Sequence, residues 1–204
     1  MELKAENISF KYPFTDEYIL KDVYFSIKNG EIKGLFGSSG SGKSTLCKIL
    51  SGFLESEGTV RIDNTLISDF KGYFPVQLIF QHPEKTMNPK WKMRQVLEEA
   101  WDVDDELIES FGIKKSWLNR WPIELSGGEL QRFSVLRALS PDTKFLIADE
   151  MTTMLDAITQ AQIWDLVVKR CKELDIGLIV ISHDSHLVDR ICDDVVYLND
   201  INHI

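Results

Sequence analysis

The sequence is short of positive charge, of cysteine and of long apolar runs, and each shortage excludes something. Its 23 Lys and Arg stand against 32 Asp and Glu, a net charge of −9. A nucleic-acid footprint needs a basic stripe, so no nucleic-acid partner is expected. A single nucleotide, whose charge is met locally, remains open. The three cysteines, Cys47, Cys171 and Cys192, are odd in number and show no C-x-x-C spacing. They are expected to be reduced, mostly buried thiols. No apolar run approaches the ~20 residues needed to span a bilayer, and Met1–Glu6 has no apolar signal-peptide core. Any membrane contact is therefore expected through a partner. Repeats, low-complexity tracts and long linkers are also missing. The 204 residues read as one domain, or one domain with a subdomain.

What is present begins with Gly37-Ser38-Ser39-Gly40-Ser41-Gly42-Lys43-Ser44-Thr45. This fits the phosphate-cradling pattern G-x-x-x-x-G-K-[ST]. Its context fits too: the apolar run Ile32–Phe36 leads in, and a helix-like run, Thr45–Leu50, leads out. Glycines let the backbone turn its N–H groups onto phosphate oxygens, and the helix adds its positive end. Lys43 is expected to reach the β and γ phosphates of a nucleoside triphosphate, and the Ser44 hydroxyl to ligate Mg²⁺.

The rest of the chain alternates. Leu3–Phe10, Ile19–Ile27, Ile32–Phe36, Thr59–Ile62 and Gln77–Phe80 read as strands, with a turn at Asn29-Gly30. Residues 93–120 read as mainly helical, and a further helix start is expected at Ser126. Phe145–Ala148, Leu178–Ile181 and Val195–Leu198 read as buried strands, and Ala157–Leu174 as a helix. The fold class expected is α/β: a mostly parallel sheet covered on both faces, an antiparallel β flank and a helical subdomain at about 83–137.

Two further stretches carry chemistry. Leu125-Ser126-Gly127-Gly128-Glu129 opens a helical run. Ser126 and Glu129 have capping-box spacing, and the glycines and helix end also suit an anion. Phe145-Leu146-Ile147-Ala148-Asp149-Glu150 is an apolar strand ending in two acids. Asp149 is placed to hold Mg²⁺ and Glu150 to polarise an attacking water.

Phosphate loop, Leu125–Glu129 stretch and acid pair, in this order, resemble the ATP-binding cassette ATPases, a P-loop NTPase family, over nearly the whole chain. The resemblance implies a single cassette across 1–204, with the helical segment inserted in a RecA-like core. It implies that Tyr12 stacks on adenine, that Gln81 contacts Mg²⁺ and the attacking water, and that His183 is a switch near the γ-phosphate. Asp156 matches the aspartate of the loop after the catalytic glutamate. Two such cassettes pair head to tail, so Ser126, Gly127, Gly128 and Glu129 are expected to serve a partner's ATP. The monomer is then expected to bind ATP but hydrolyse it poorly. Integral membrane permease subunits are the other partners implied, which puts the chain at the cytoplasmic face of the cell membrane.

The chain departs from the family at Met151, where Pro is usual, and at 153 and 154, where residues are usually small. With Glu150 and Asp156 retained the loop is expected to function. Bulk from Met154 at the dimer seam leaves open an altered dimer geometry or a non-identical partner. The sequence given leaves no room after Val195–Leu198 for a regulatory domain, so none is expected. Gln81-His82-Pro83-Glu84-Lys85-Thr86-Met87-Asn88-Pro89 and Asn119-Arg120-Trp121-Pro122-Ile123-Glu124 resemble peptide and nickel importer cassettes. An energy-coupling cobalt or vitamin importer is the rival within the family. A soluble repair or translation ATPase is the rival outside transport. Against it stand about 80 residues without heptads between loop and signature, one cassette only, and the acidic balance. Retention of Lys43, Gln81, Asp149, Glu150 and His183 argues against a non-hydrolysing subunit. Trp91, Trp101, Trp117 and Trp121 cluster in the helical segment, as interface anchors or as its core.

Overall fold

The chain is described by a computed structural model covering residues 1–153 and 155–204. β1 (Glu2–Phe10) and β2 (Leu20–Lys28) are antiparallel, and β4 (Glu57–Ile62) pairs with the other edge of β1. Leu3 and Ala5 face inward in alternation, but the next buried residue is Ile8. The pleat is reset at Asn7, whose φ of +57° accompanies a register shift between Ala5 and Ile8. This is a bulge that returns the apolar side chain to the core face. A two-residue β5 (Thr65–Leu66) completes the order β2-β1-β4-β5.

The second sheet is wholly parallel. It contains β3 (Ile32–Phe36), β6 (Val76–Ile79), β7 (Phe145–Asp149), β8 (Gly177–Ile181) and β9 (Asp194–Tyr197), in the order β6-β7-β8-β3-β9. Period-two alternation divides its side chains between two cores. Phe145, Ile147, Ile179 and Ile181 face helix α1 (Lys43–Leu50) and the antiparallel sheet. Leu146, Ala148, Leu178 and Val180 face the other helices. Among these are α4 (Gly127–Ala138) and α5 (Ala157–Glu173), contributing Phe133, Leu136, Trp164 and Val167.

The parallel sheet, antiparallel flank and helical coverage are as the sequence predicts. Residues 93–120 are less helical than expected. They hold only α2 (Met93–Glu98), α3 (Asp105–Ser110) and a 3₁₀ turn at Lys115–Trp117. Asp104 stops continuous winding because its carboxylate caps α3, accepting from Leu107 N at 2.7 Å. Gly112, at φ +68°, then ends that helix. Two helices were not anticipated: α6 (Ser185–Ile191) and α7 (Leu198–Ile201).

Candidate functional site

Strands β7, β8 and β3 are neighbours, so the loops at their carboxyl ends converge. Ligands of open parallel sheets bind at such ends. The loop after β3 is the glycine-rich one. Gly42 caps α1 at φ +102°, and a Cβ there would lie 2.9 Å from Leu20 Cδ2 and 3.1 Å from the Ile19 carbonyl oxygen. Gly40 sits at φ +80° with nothing within 4 Å of a Cβ position.

Lys43 is buried and folds back into its own loop. Its Nζ donates to the carbonyls of Gly37 at 2.8 Å and Ser38 at 3.0 Å. The ammonium is thus held at the centre of a ring of backbone. Ser41 Oγ is buried without a hydrogen-bond partner. A loop with an inward cation and an orphaned hydroxyl fits phosphate oxygens. Thr45 is buried, and its hydroxyl lies 3.1 Å from Tyr12 OH. The Tyr12 ring is partly exposed and edge-on to Phe10, with centroids 5.0 Å apart.

Asp149 ends β7 beside this loop. Burial pushes its carboxyl above the ordinary carboxylate range, and neighbouring Glu150 adds to the shift. The Ser44 hydroxyl, Lys43 and Lys48 work against it. Ser44, Asp149 and Gln81 line one cleft of about 800 Å³, with Lys48, Phe53 and Arg137. A hydroxyl, an amide and one disfavoured carboxylate are a hard oxygen donor set suited to Mg²⁺. Among the described residues no cluster of three or more His, Cys, Asp or Glu side chains is gathered. An ion here would therefore take further oxygens from phosphate or water.

Glu150 follows in the left-handed region, at φ +50°. Its N–H donates to the Ile181 carbonyl at 3.1 Å, which ties the strained residue to the end of β8. His183, two residues past Ile181, brings Nε2 to 2.6 Å from Glu150 Oε1. Glu150 and His183 line a second cavity of about 340 Å³ with Thr152, Thr153, Trp164 and Asp184. Asp156 caps α5, accepting from Ile158 N at 3.1 Å and Thr159 N at 3.0 Å. The Thr159 contacts above all hold its carboxyl below the usual range.

Ser126–Glu129 stand apart from these groups. Ser126 Oγ accepts from Glu129 N at 3.3 Å and Glu129 Oε2 from Ser126 N at 2.8 Å, closing the capping box. Gly127 is exposed, and a Cβ on Gly128 would lie 2.9 Å from Leu155 Cδ2. None of the four lines either cavity. Among the described residues no hydrogen bond joins them to the phosphate loop.

Of the four tryptophans of the helical segment, three join the core: Trp117 is buried, and Trp91 and Trp101 pack against the same cluster. Trp121 is 45% exposed, with the Lys92 ammonium 5.4 Å from its ring centroid. Met151 is buried in that core and borders the Glu150–His183 cavity, and Met154 lies outside the described residues. Sequence reasoning missed the bonding roles of Thr152 and Thr153. Trp164 Nε1 donates to Thr152 Oγ1 at 3.0 Å, and Gln81 Nε2 to Thr153 Oγ1 at 3.3 Å.

A family model described as ABC transporter matches residues 20–153. The oligopeptide transport ATP-binding protein OppF of Streptococcus mutans is 34% identical over 216 residues, covering 96% of this chain and 70% of the relative. OppD of Lactococcus lactis subsp. cremoris is 31% identical, covering 97% and 66%, and is likewise an oligopeptide transport ATP-binding protein. The methionine import ATP-binding protein MetN 2 of Listeria monocytogenes is 33% identical, covering 96% and 63%. The chain thus spans 63–70% of the length of these relatives. A solved dimer of the ATP-binding cassette MJ0796, in a post-hydrolysis state with ADP and Pi, superposes with a TM-score of 0.82 at 27% identity. That match covers 96% of this chain and 93% of the other.

Proposed function

The chain belongs to the ABC transporter family, and from that premise we propose that it is the ATP-hydrolysing subunit of an importer whose cargo is a peptide. The observation that carries hydrolysis is the Glu150–His183 pair, 2.6 Å apart beside a phosphate loop on the same sheet. Peptide as cargo is supported by the two relatives named for oligopeptide transport. Nickel as cargo rests on the resemblance of residues 81–89 and 119–124 alone.

The loop N–H groups and Lys43 bind the β and γ phosphates, Lys43 exchanging the Gly37 and Ser38 carbonyls for phosphate oxygens. Tyr12 stacks on the base. Ser44, Gln81 and Asp149 would hold Mg²⁺, which when bound neutralises charge on the phosphoryl group. Gln81 orients the attacking water and Glu150 takes its proton at a carboxylate oxygen. Water oxygen bonds to the γ-phosphorus, the bond to the bridging oxygen breaks, and ADP and phosphate leave. His183 holds the Glu150 carboxylate in line and faces the γ-phosphate.

Ser126, Gly127, Gly128 and Glu129 complete the site of a second cassette, with Asp156 in the loop at that seam. The dimeric state of the MJ0796 structure supports this pairing. Permease subunits are the remaining partners, and the chain works at the cytoplasmic face of the membrane. The cleft beside Gln81, with Phe53 62% exposed and edge-on to Phe80, suits an apolar permease segment. We also read residues 1–204 as one cassette with a helical subdomain at about 83–137.

The test is affinity capture from detergent-solubilised membranes together with the ATPase rate of Glu150→Gln. Multi-spanning partners are expected, with turnover reduced about 10²–10⁴-fold and ATP still bound. Capture of soluble partners only, by an active ATPase, would move the protein to a soluble role. Full turnover by Glu150→Gln would overturn the assigned base.

A further inference from the structure

Gln81 and Glu150 face different cavities. One side chain joins them. Gln81 Nε2 donates to Thr153 Oγ1 at 3.3 Å, and Thr153 Oγ1 donates to the Glu150 carbonyl at 3.2 Å. A threonine hydroxyl has one proton to give and lone pairs to receive, so both bonds form at once. The Thr153 N–H donates to the same carbonyl at 3.3 Å. Glu150 itself is held at φ +50°. Next door, Thr152 is pinned through its hydroxyl to the buried Trp164 at 3.0 Å. The hydroxyl of Thr153 therefore hangs between a fixed loop and a glutamine at the wall of the larger cleft.

We propose that Thr153 is a positioning residue for hydrolysis, tying the side chain of Gln81 to the backbone of Glu150. Withdrawal of Gln81 from this bond frees the Thr153 hydroxyl and loosens the carbonyl of the catalytic glutamate. A change at Gln81 thereby reaches the Glu150 backbone through Thr153, besides the water that the two side chains share. The inference rests on the ATPase reading above.

The test uses Thr153→Val, which keeps the shape and removes the hydroxyl, and Thr153→Ser, which keeps the hydroxyl. Steady-state kcat, KM for ATP and thermal midpoint are measured for each and for the wild type. Thr153→Val is expected to lose about tenfold in kcat, with KM and midpoint unmoved. Thr153→Ser is expected to restore kcat to within about twofold of wild type. Adding Gln81→Ala to Thr153→Val is expected to cost no more than Gln81→Ala alone, the mark of one shared interaction. Should Thr153→Val not fold, Thr153→Ala takes its place in the cycle. Wild-type kcat in the hydroxyl-free variant overturns the proposal, as does a loss that serine does not repair. A wild-type protein without ATPase activity even when assayed together with its captured membrane partners instead overturns the parent reading, and this inference with it.

Discussion

The two left-handed glycines of the phosphate loop offer a controlled comparison. Both carry positive φ, +80° at Gly40 and +102° at Gly42, so alanine at either meets the backbone penalty of about 1–2 kcal/mol. Both substitutions also restrict the unfolded chain, which returns about 0.4–1 kcal/mol equally in each. The difference is steric. A Cβ at position 40 has no neighbour within 4 Å, whereas one at position 42 lies 2.9 Å from Leu20 Cδ2 and 3.0 Å from Ile19 Cγ2. Leu20 is fully buried and cannot give way freely. Overpacking of this kind costs about 1–3 kcal/mol. Gly42→Ala is therefore expected to be about 2 kcal/mol less stable than Gly40→Ala, about 4–8 °C for a chain of this size. The assay is thermal unfolding of both variants without nucleotide, at one pH and concentration. Equal midpoints would refute the reasoning, because they would mean the loop moves away from Leu20 at no cost.

Charge and thiol chemistry supply the remaining predictions. Asp156 has a depressed carboxyl, so its contribution is present above the ordinary aspartate pKa and is lost as pH falls through the lower folded value. The midpoint advantage of wild type over Asp156→Asn, which keeps a cap without the charge, should shrink in acid; a constant gap would exclude the linkage. Asp149 is raised, so its ionised form opposes folding once pH climbs from the unfolded value through the folded one. Asp149→Asn is expected to stabilise the nucleotide-free protein at neutral pH, and a lower midpoint would contradict that. Burial pushes the Cys171 and Cys192 thiols up to about 12, and raises Cys47 well above its ordinary value. Iodoacetamide at about pH 8 should label neither Cys47 nor Cys171, both buried, until the chain is unfolded; rapid labelling of either in the native protein would count against its burial.

Much of the site was legible because its residues sit next to local signals. The phosphate loop follows an apolar strand and opens a helix, Asp149 and Glu150 end a run of buried residues, and Ser126 and Glu129 carry their own capping spacing. Helix α6 carries local signals too: Asp184 caps it, and Leu187, Val188 and Ile191 recur at helical spacing. The acid-rich segment 93–120 misled because Asp104 reads equally as helix surface or as helix stop. The bonds between Gln81 and Thr153, and between Trp164 and Thr152, were not legible at all. They join residues 72 and 12 positions apart through side chains whose meeting is decided by the sheet.

The place of β3 in the parallel sheet has a consequence in time. Its partners are β8, starting at Gly177, and β9, starting at Asp194, whereas β3 itself ends at Phe36. A ribosome adds about 5–20 residues per second, so the 141 positions from Phe36 to Gly177 take about 7–28 s to synthesise. The antiparallel strands, complete by Leu66, can pair early in that interval. The phosphate loop meanwhile hangs from a strand with neither edge covered, and acquires a fixed shape only as residues 177–197 emerge.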